Sequence, residues 1–417
     1  MRVLLLNQCF HPDVVSTAQH LTDLATELAS RGHQVTVIAS SRGYDNPEVR
    51  FPKREVWKGI EIIRLPTLGL GKQARWRRVL DFASFMLACV ARLMLLPRYD
   101  LVLGMTSPPL ISFLGALFAR LKGGEFVFWV MDLNPDEAIV AGWLKEKSLT
   151  VRFLNTLLGY SLRHASRIVV LDRFMKGRIR DKGIAEDKLV IIPPWSHDEA
   201  IRYEDEGRAD FRAQQGLDGK YVVMYSGNHS PCHPLDTLLD AAGKLAAKPE
   251  IVFCFVGGGS EFHKVKSYAA LHQLSNIICL PYQPLDKLAA SLSAADLHVV
   301  VMGDPFTGIV HPCKIYNILR IGSPFLYIGP GQSHVVDILS QSEREGVALV
   351  ARHGEVDQVV GHILEGARSA GEMVATAEDR LSARFSKEAL LPLMIDMLEA
   401  VPTEKTARIY KASRTNA

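Results

Sequence analysis

The stretch Leu297 to Pro330, LHVVVMGDPFTGIVHPCKIYNILRIGSPFLYIGP, constrains this chain more than any other, because it holds a strand, a polar loop, a helix start and a second strand in one run. Leu297 to Met302 is short, apolar and valine-rich, as a strand buried on both faces must be, and Gly303-Asp304-Pro305 breaks it. Pro312 suits the first position of a helix, where its missing N–H costs nothing, and Gly322 suits the left-handed residue that closes one. A short helix is therefore expected over about 312–321. Lys314 falls in its first turn, and Asn317 lies three residues on, on the same face. Free backbone N–H groups, the positive end of the helix dipole and the lysine charge together favour a phosphate there. A solvated helix lysine is the plainer alternative.

A chain of 417 residues has room for two ordinary domains, and their surroundings should differ. Residues 1–190 hold 27 Lys+Arg against 18 Asp+Glu, the remainder 21 against 27. No basic block calls for nucleic acid as a partner. Six scattered cysteines without a C-x-x-C pair suggest a reduced, cytoplasmic setting. The opening MRVLLLNQCF is too short an apolar run for a signal peptide and reads as a first strand. Leu101 to Ala119 carries no charge over 19 residues, but Ser107-Pro108-Pro109 splits it into a strand and a helix, so a membrane span is rejected. The segment 72–97 is different. Trp76-Arg77-Arg78 leads into VLDFASFMLACVARLMLL, which fits either a helix resting on anionic lipid at the inner membrane face or a core helix with a solvated basic end.

Along the chain, strands and helices alternate. Val3 to Leu6, a helix from Ser16 or Thr17 as N-cap to about Ser30, and Val35 to Ala39 form a strand, helix, strand unit. Residues 41–71 read as a hairpin-like segment, and Leu101 to Leu103, Phe126 to Met131, Arg167 to Leu171 and Leu189 to Pro193 continue the alternation. Pro193-Pro194-Trp195-Ser196 and the charged run after it look like a linker. The pattern then restarts at Tyr221 to Tyr225. The fold class is α/β, with two Rossmann-like doubly wound domains over 1–195 and 196–384 facing across a cleft. Residues 385–417 supply a helix, Phe385 to Ala400, that packs back on the first domain, and a loosely ordered tail from Pro402.

The chemistry-bearing residues sit after strands. Gly227, Asn228 and His229 directly follow one strand, and Gly257 and Gly258 follow the next, where small residues let backbone N–H groups approach a phosphate. In the first half, Asp132 ends a buried strand in the run WVMDLNPDE; it either orients or deprotonates a hydroxyl, or caps the helix after Pro135. His11, Ser16 and Thr17 lie at the rim of the first strand as candidate acceptor or phosphate contacts, though His11 beside a proline is equally a turn residue. Cys232-His233 and His311-x-Cys313 match a zinc quartet by type but not by spacing.

These blocks carry a likeness. The opening MRVLLLNQCFHPD, the join ELASRGHQVTVIAS, WVMDLNPDEAIVAGWL, VIIPPW, YSGNHSPCHPLDTLLDAA, FVGGG, LPYQPLDKLAASLSAADLHVV and HPCKIYNILRIGSPFL follow one another in family order. The chain resembles the family 4 glycosyltransferases of the GT-B fold, particularly bacterial members of polysaccharide and cell-envelope pathways. The resemblance implies a retaining transfer from a nucleotide-diphosphate sugar, bound by the C-terminal domain, to a glycan, lipid-linked or small-molecule acceptor held by the N-terminal domain. It implies no cofactor and no obligate metal. It also exposes departures. Where the family has an arginine and a lysine after the Gly227-type glycine, Asn228 and His233 stand. The two motif glutamates fall on Ile309 and Asn317. Lys314 is the substitute for that lost charge clamp, with Asn317 on the ribose. Gly227, Asn228, His229, Gly257, Gly258, Lys314 and Asn317 are thus the expected donor site, and Asp132 and Lys314 the catalytic pair. A nucleotide-sugar epimerase or a non-catalytic nucleotide-sugar binder are the rival readings.

Overall fold

Runs of valine, leucine and isoleucine become two sheets, each in its own unit: Met1–Pro193 with Leu390–Ala417, and Pro194–Ala389. The computed structural model describes residues 1–44, 46–70, 75–196, 201–341, 348–369 and 380–415. In the first unit β1 (Arg2–Leu6), β2 (Gln34–Ser40), β3 (Arg54–Trp57), β4 (Ile60–Leu65), β5 (Leu101–Gly104), β6 (Glu125–Trp129), β7 (Arg167–Val170) and β8 (Leu189–Ile191) pair in the order β3-β4-β2-β1-β5-β6-β7-β8. Every pairing is parallel except the β3–β4 hairpin. In the second, β9 (Tyr221–Asn228), β10 (Ile251–Gly258), β11 (Ile277–Leu280), β12 (Leu297–Val301), β13 (Phe325–Ile328) and β14 (Ala348–Ala351) form a wholly parallel sheet in the order β11-β10-β9-β12-β13-β14.

Parallel strands need crossover helices, and helices on both faces demand apolar residues on both. The second sheet shows this directly. Val223, Tyr225, Phe253, Phe255, Val299 and Val301 enter one core cluster, while Val222, Met224, Val252, Cys254 and Val256 enter another on the opposite face. Strand order reverses between β1 and β5 and between β9 and β12, the two places where an open sheet of this kind leaves a crevice at its C-terminal edge.

Several expectations need correction. The helix expected from Pro312 spans Lys314–Ile321: Cys313 is its N-cap and its carbonyl takes the first N–H, from Tyr316, at 3.2 Å. One turn earlier the His311 ring meets the Tyr316 hydroxyl at 2.6 Å, which holds residues 311–313 as an entry segment. Gly322 does close the helix, at φ 72° and ψ 18°. The first helix, Ser16–Ser30, is capped by neither Ser16 nor Thr17; extended Val15 precedes it, with no side-chain bond. The supposed linker contains a helix, Asp205–Gln215, because its charges have partners: Arg208 and Arg212 both grip Asp296, at 2.5 and 3.2 Å, and Asp296 also accepts the Val222 N–H at 2.7 Å. The helices His334–Leu339 and Val356–Arg368 and the strand β14 were not foreseen. Within the first unit, Leu390 onward does pack as expected. Met394, Ile395 and Leu398 are fully buried, Arg31 meets Asp396 at 2.9 Å and His33 meets Glu399 at 2.8 Å. The helix that begins at Lys387 runs on past Pro402 to Thr415. Of the segment 72–97, residues 72–74 lie outside the described residues, and Arg75–Leu95 is one helix.

Candidate functional site

At the switch point of the second sheet, two glycines and a lysine are brought together. Gly227 and Gly257 are not in loops after their strands; they are the paired ends of β9 and β10, with Gly257 opposite Gly227 and Gly258 opposite Asn228. Both need glycine. Gly257 has φ 133°, and a Cβ there would sit 2.1 Å from the Gly227 carbonyl oxygen; Gly227 has φ 129° and faces the Lys314 ammonium, 3.4 Å from where its own Cβ would be. The backbone at this corner is therefore bare on the side that Lys314 approaches.

Lys314 is the unusual group. The residue is half-buried, but its Nζ is closed off from solvent and makes no hydrogen bond. It lies 3.3 Å from the centroid of the Tyr225 ring, whose face offers a cation weak compensation. Burial holds its pKa well below the usual lysine value. A buried ammonium without an anion costs several kcal/mol in effective desolvation, so the arrangement gains most when an anion arrives.

The rings around it do not compete for that anion. His229 is completely buried, and its Nδ1 faces the carbonyls of Gly227 and Gly258 at 3.0 and 3.3 Å. Two acceptors require the proton on Nδ1. Burial, and then the Lys314 charge, push its pKa down to about 4. The same causes push His233, whose Nδ1 meets the Val301 carbonyl at 2.8 Å, down to about 3, and His298 is lowered to about 4. All three are neutral at pH 7, so none of these rings adds a charge beside Lys314. His229 ties the two glycine ends together, and Asn228 is exposed beside them, its carbonyl accepting the Tyr225 hydroxyl at 2.9 Å. Asn317 is half-buried on the Lys314 helix; Ile309 is buried. The quartet Cys232, His233, His311 and Cys313 does not gather: among the described residues no three of them bring ligand atoms together, and the Cys313 thiol donates to the His311 carbonyl at 3.2 Å.

In the first unit Asp132 follows β6. It caps nothing, because the helix Asp136–Val140 has Pro135 at its N-cap and takes no side-chain bond. Burial, then the neighbouring Glu137 charge, raise its pKa to about 7, while Arg78 pulls the other way. The rest of the acidic run is engaged: Asp136 binds Lys182 at 2.8 Å, and Glu137 accepts the Asn134 amide at 2.9 Å. His11 lies in a turn, its ring stacked 4.0 Å from Trp57 and its pKa lowered by burial and by Arg64. Ser16 is exposed and Thr17 half-buried at the start of their helix. Sequence reasoning missed Tyr225, whose ring carries Lys314, and Arg78, which it read only as a basic helix start. Tyr225 stands two residues before the glycine, on the inward phase of the strand, and that period-two position was the available signal.

The chain is similar to glycosyltransferases along both units. A family model described as "Glycosyl transferase 4-like domain" matches residues 17–195, and one described as "Glycosyl transferases group 1" matches 207–310. The chain is 28% identical to the putative colanic acid biosynthesis glycosyl transferase WcaI of Escherichia coli (strain K12), covering 77% of this chain and 82% of that one. It is 27% identical to the probable glycosyltransferase WbjE of Pseudomonas aeruginosa, over 58% and 60% of the two chains. Among solved structures, sucrose-phosphate synthase from Thermosynechococcus elongatus superposes with a TM-score of 0.73 at 17% identity, over 96% of this chain and 99% of that one. Anabaena HepE, solved with UDP and glucose, does so at 0.71 and 14%, over 96% and 99%.

Proposed function

Because the chain belongs to the family 4 glycosyltransferases of the GT-B fold, we propose that it transfers a sugar, with retention at the anomeric carbon, from a nucleotide-diphosphate sugar held by the Pro194–Ala389 unit to an acceptor hydroxyl at Asp132. The observation that carries this is the buried, unpartnered Lys314 ammonium against the bare ends of β9 and β10. A diphosphate there would accept from Lys314 and the first-turn N–H groups, with Asn317 reaching the ribose. As the bond between the anomeric carbon and the diphosphate breaks, the leaving oxygen gains charge, and Lys314 stabilises it. The acceptor oxygen forms the new bond and its proton passes to ionised Asp132. The proposal needs no metal, since the cation is the chain's own. The relative named for colanic acid biosynthesis supports polysaccharide synthesis as the setting, and a glycan or lipid-linked acceptor is part of the proposal. None of the relatives described above is an epimerase. Product analysis tests the reading: the purified protein with a UDP-sugar panel should give slow hydrolysis or transfer with the donor's anomeric configuration kept. An epimerised free donor, or no turnover with any donor, would overturn it.

A peripheral seat on anionic lipid belongs to the same proposal. Among the described residues no helix is long and apolar enough to cross a membrane. Yet the helix Arg75–Leu95 leaves Leu87, Met94 and Leu95 72%, 71% and 77% exposed, and Leu121, on the helix Ile111–Lys122 packed beside it, is 73% exposed. Arg98, Arg120 and Lys122 are exposed on or beside these helices, and the nearby Asp81 and Asp100 carboxylates already accept the N–H groups of Leu70 and Arg2. An exposed apolar face flanked by unopposed positive charge suits an anionic bilayer. Sedimentation with phosphatidylglycerol vesicles should exceed that with phosphatidylcholine, fall with salt, and fall in Leu87→Asp/Met94→Asp. Equal sedimentation of the variant would remove this face from the proposal.

A further inference from the structure

A second hollow lies in the first unit, over the C-terminal ends of β1, β2 and β4. Gln8 follows β1, Ser40 ends β2 and Arg42 lies just beyond it, Thr67 and Gly69 follow β4, and Arg78 and Asp81 come from the first turns of the helix Arg75–Leu95. Among the described residues, two of its polar atoms have no hydrogen-bond partner. Gln8 is 8% exposed; its backbone is held by Ser107 and Ser40, but its side-chain Oε1 is buried with no hydrogen bond. The Arg78 Nε is likewise buried and unbonded, while its Nη2 reaches the Tyr44 hydroxyl at 3.4 Å. Arg42 is braced by the carbonyls of Thr67 at 3.2 Å and Pro47 at 3.0 Å. Asp81, the acidic residue of the lining, accepts the Leu70 N–H at 3.0 Å. Two guanidiniums against one carboxylate leave the pocket positive.

We propose that this pocket receives the anionic group, phosphoryl or carboxylate, of a sugar acceptor. Its free volume is about 40 Å³. A water needs about 10–15 Å³ on that scale, so the hollow takes roughly three water-sized atoms, the size of such a group and not of a whole sugar. The Arg78 Nε and the free edge of the guanidinium forks would hold its oxygens, and the Gln8 amide a neighbouring hydroxyl. Arg78 also acts on Asp132 through its charge, which links the pocket to the proposed reacting hydroxyl. The inference rests on Asp132 as the acceptor-side carboxylate and names the acceptor's class: a saccharide with a negative group near the hydroxyl it donates.

The test is calorimetry on the full chain saturated with UDP, titrating glucose 1-phosphate, glucuronate and glucose. One or both anions should bind at least tenfold tighter than glucose, and the pair distinguishes phosphoryl from carboxylate. Arg78→Gln should weaken the anion about tenfold. Gln8→Leu should weaken it too while leaving the melting temperature unchanged or higher, because it removes a buried orphan and not a bond. Lys314→Met should leave anion binding intact. Equal affinity for all three sugars, or loss in Lys314→Met in place of Arg78→Gln, would overturn the inference. Failure of UDP itself to bind would count against the donor reading alone; the same titrations run on Lys314→Met without UDP, where the donor-side lysine cannot take the anion, would then decide this one.

Discussion

Around Lys314, the unit Pro194–Ala389 closes off a lysine nitrogen among neutral rings with no counter-charge among the described residues; around Asp132, the unit Met1–Pro193 holds a half-buried carboxylate beside one charge of each sign, Arg78 and Glu137. Burial drives both toward neutrality, the lysine down and the carboxylate up to about 7. What differs is the relief. Lys314 has only an aromatic face until a ligand comes, so its cost is recovered by binding. Asp132 is already partly relieved by Arg78 and sits where a proton can come and go near neutral pH, which suits an acid–base role more than an anchoring one.

The sharpest way to break this contrast is Asp132→Asn. Turnover should fall by about 10²–10⁴, the usual worth of a general base, with UDP affinity unchanged in calorimetry. The wild-type rate should rise with pH through about 7 as the carboxylate ionises, and that limb should be missing in the variant. A fall in UDP affinity alone would move Asp132 to the binding side of the comparison.

Next is Lys314→Met. UDP should bind more weakly by about 1.5–3 kcal/mol, the range for a hydrogen bond to a charged group. The ligand-free variant should melt higher than the parent, because the uncompensated cation is gone. A lower melting point in the variant would mean that Lys314 already has an anionic partner, and the two sites would then differ less than argued.

The smallest effect concerns stability against pH. The folded Asp132 pKa, about 7, lies above the ordinary carboxylate value of 3.8. Folding therefore takes up a proton between those values: this contribution is full below about 3.8 and is lost as pH rises through about 7. Asp132→Asn should flatten that slope in a chemical-denaturation series and raise the melting temperature above pH 7.

Much of the fold is readable in the chain because parallel strands must be apolar on both faces, and runs such as LHVVV and IVFCFV can be little else. The helix Asp205–Gln215 was hidden because the Asp296 that neutralises its arginines lies some eighty residues away. Lys314 could be singled out from its place after a broken strand. Arg78 could not, because its charge reads the same whether it faces solvent or Asp132.

By itself, then, the sequence determined the two α/β units, the glycine ends and the lysine that meets them, since each follows from local periodicity or from a backbone only glycine tolerates. Only tertiary structure decided that the Lys314 nitrogen has no partner, that three histidines near it are neutral, and that Gln8 and Arg78 share a pocket. Burial and pairing depend on residues far apart in sequence, and a side chain's charge state is set by those neighbours and not by its own identity.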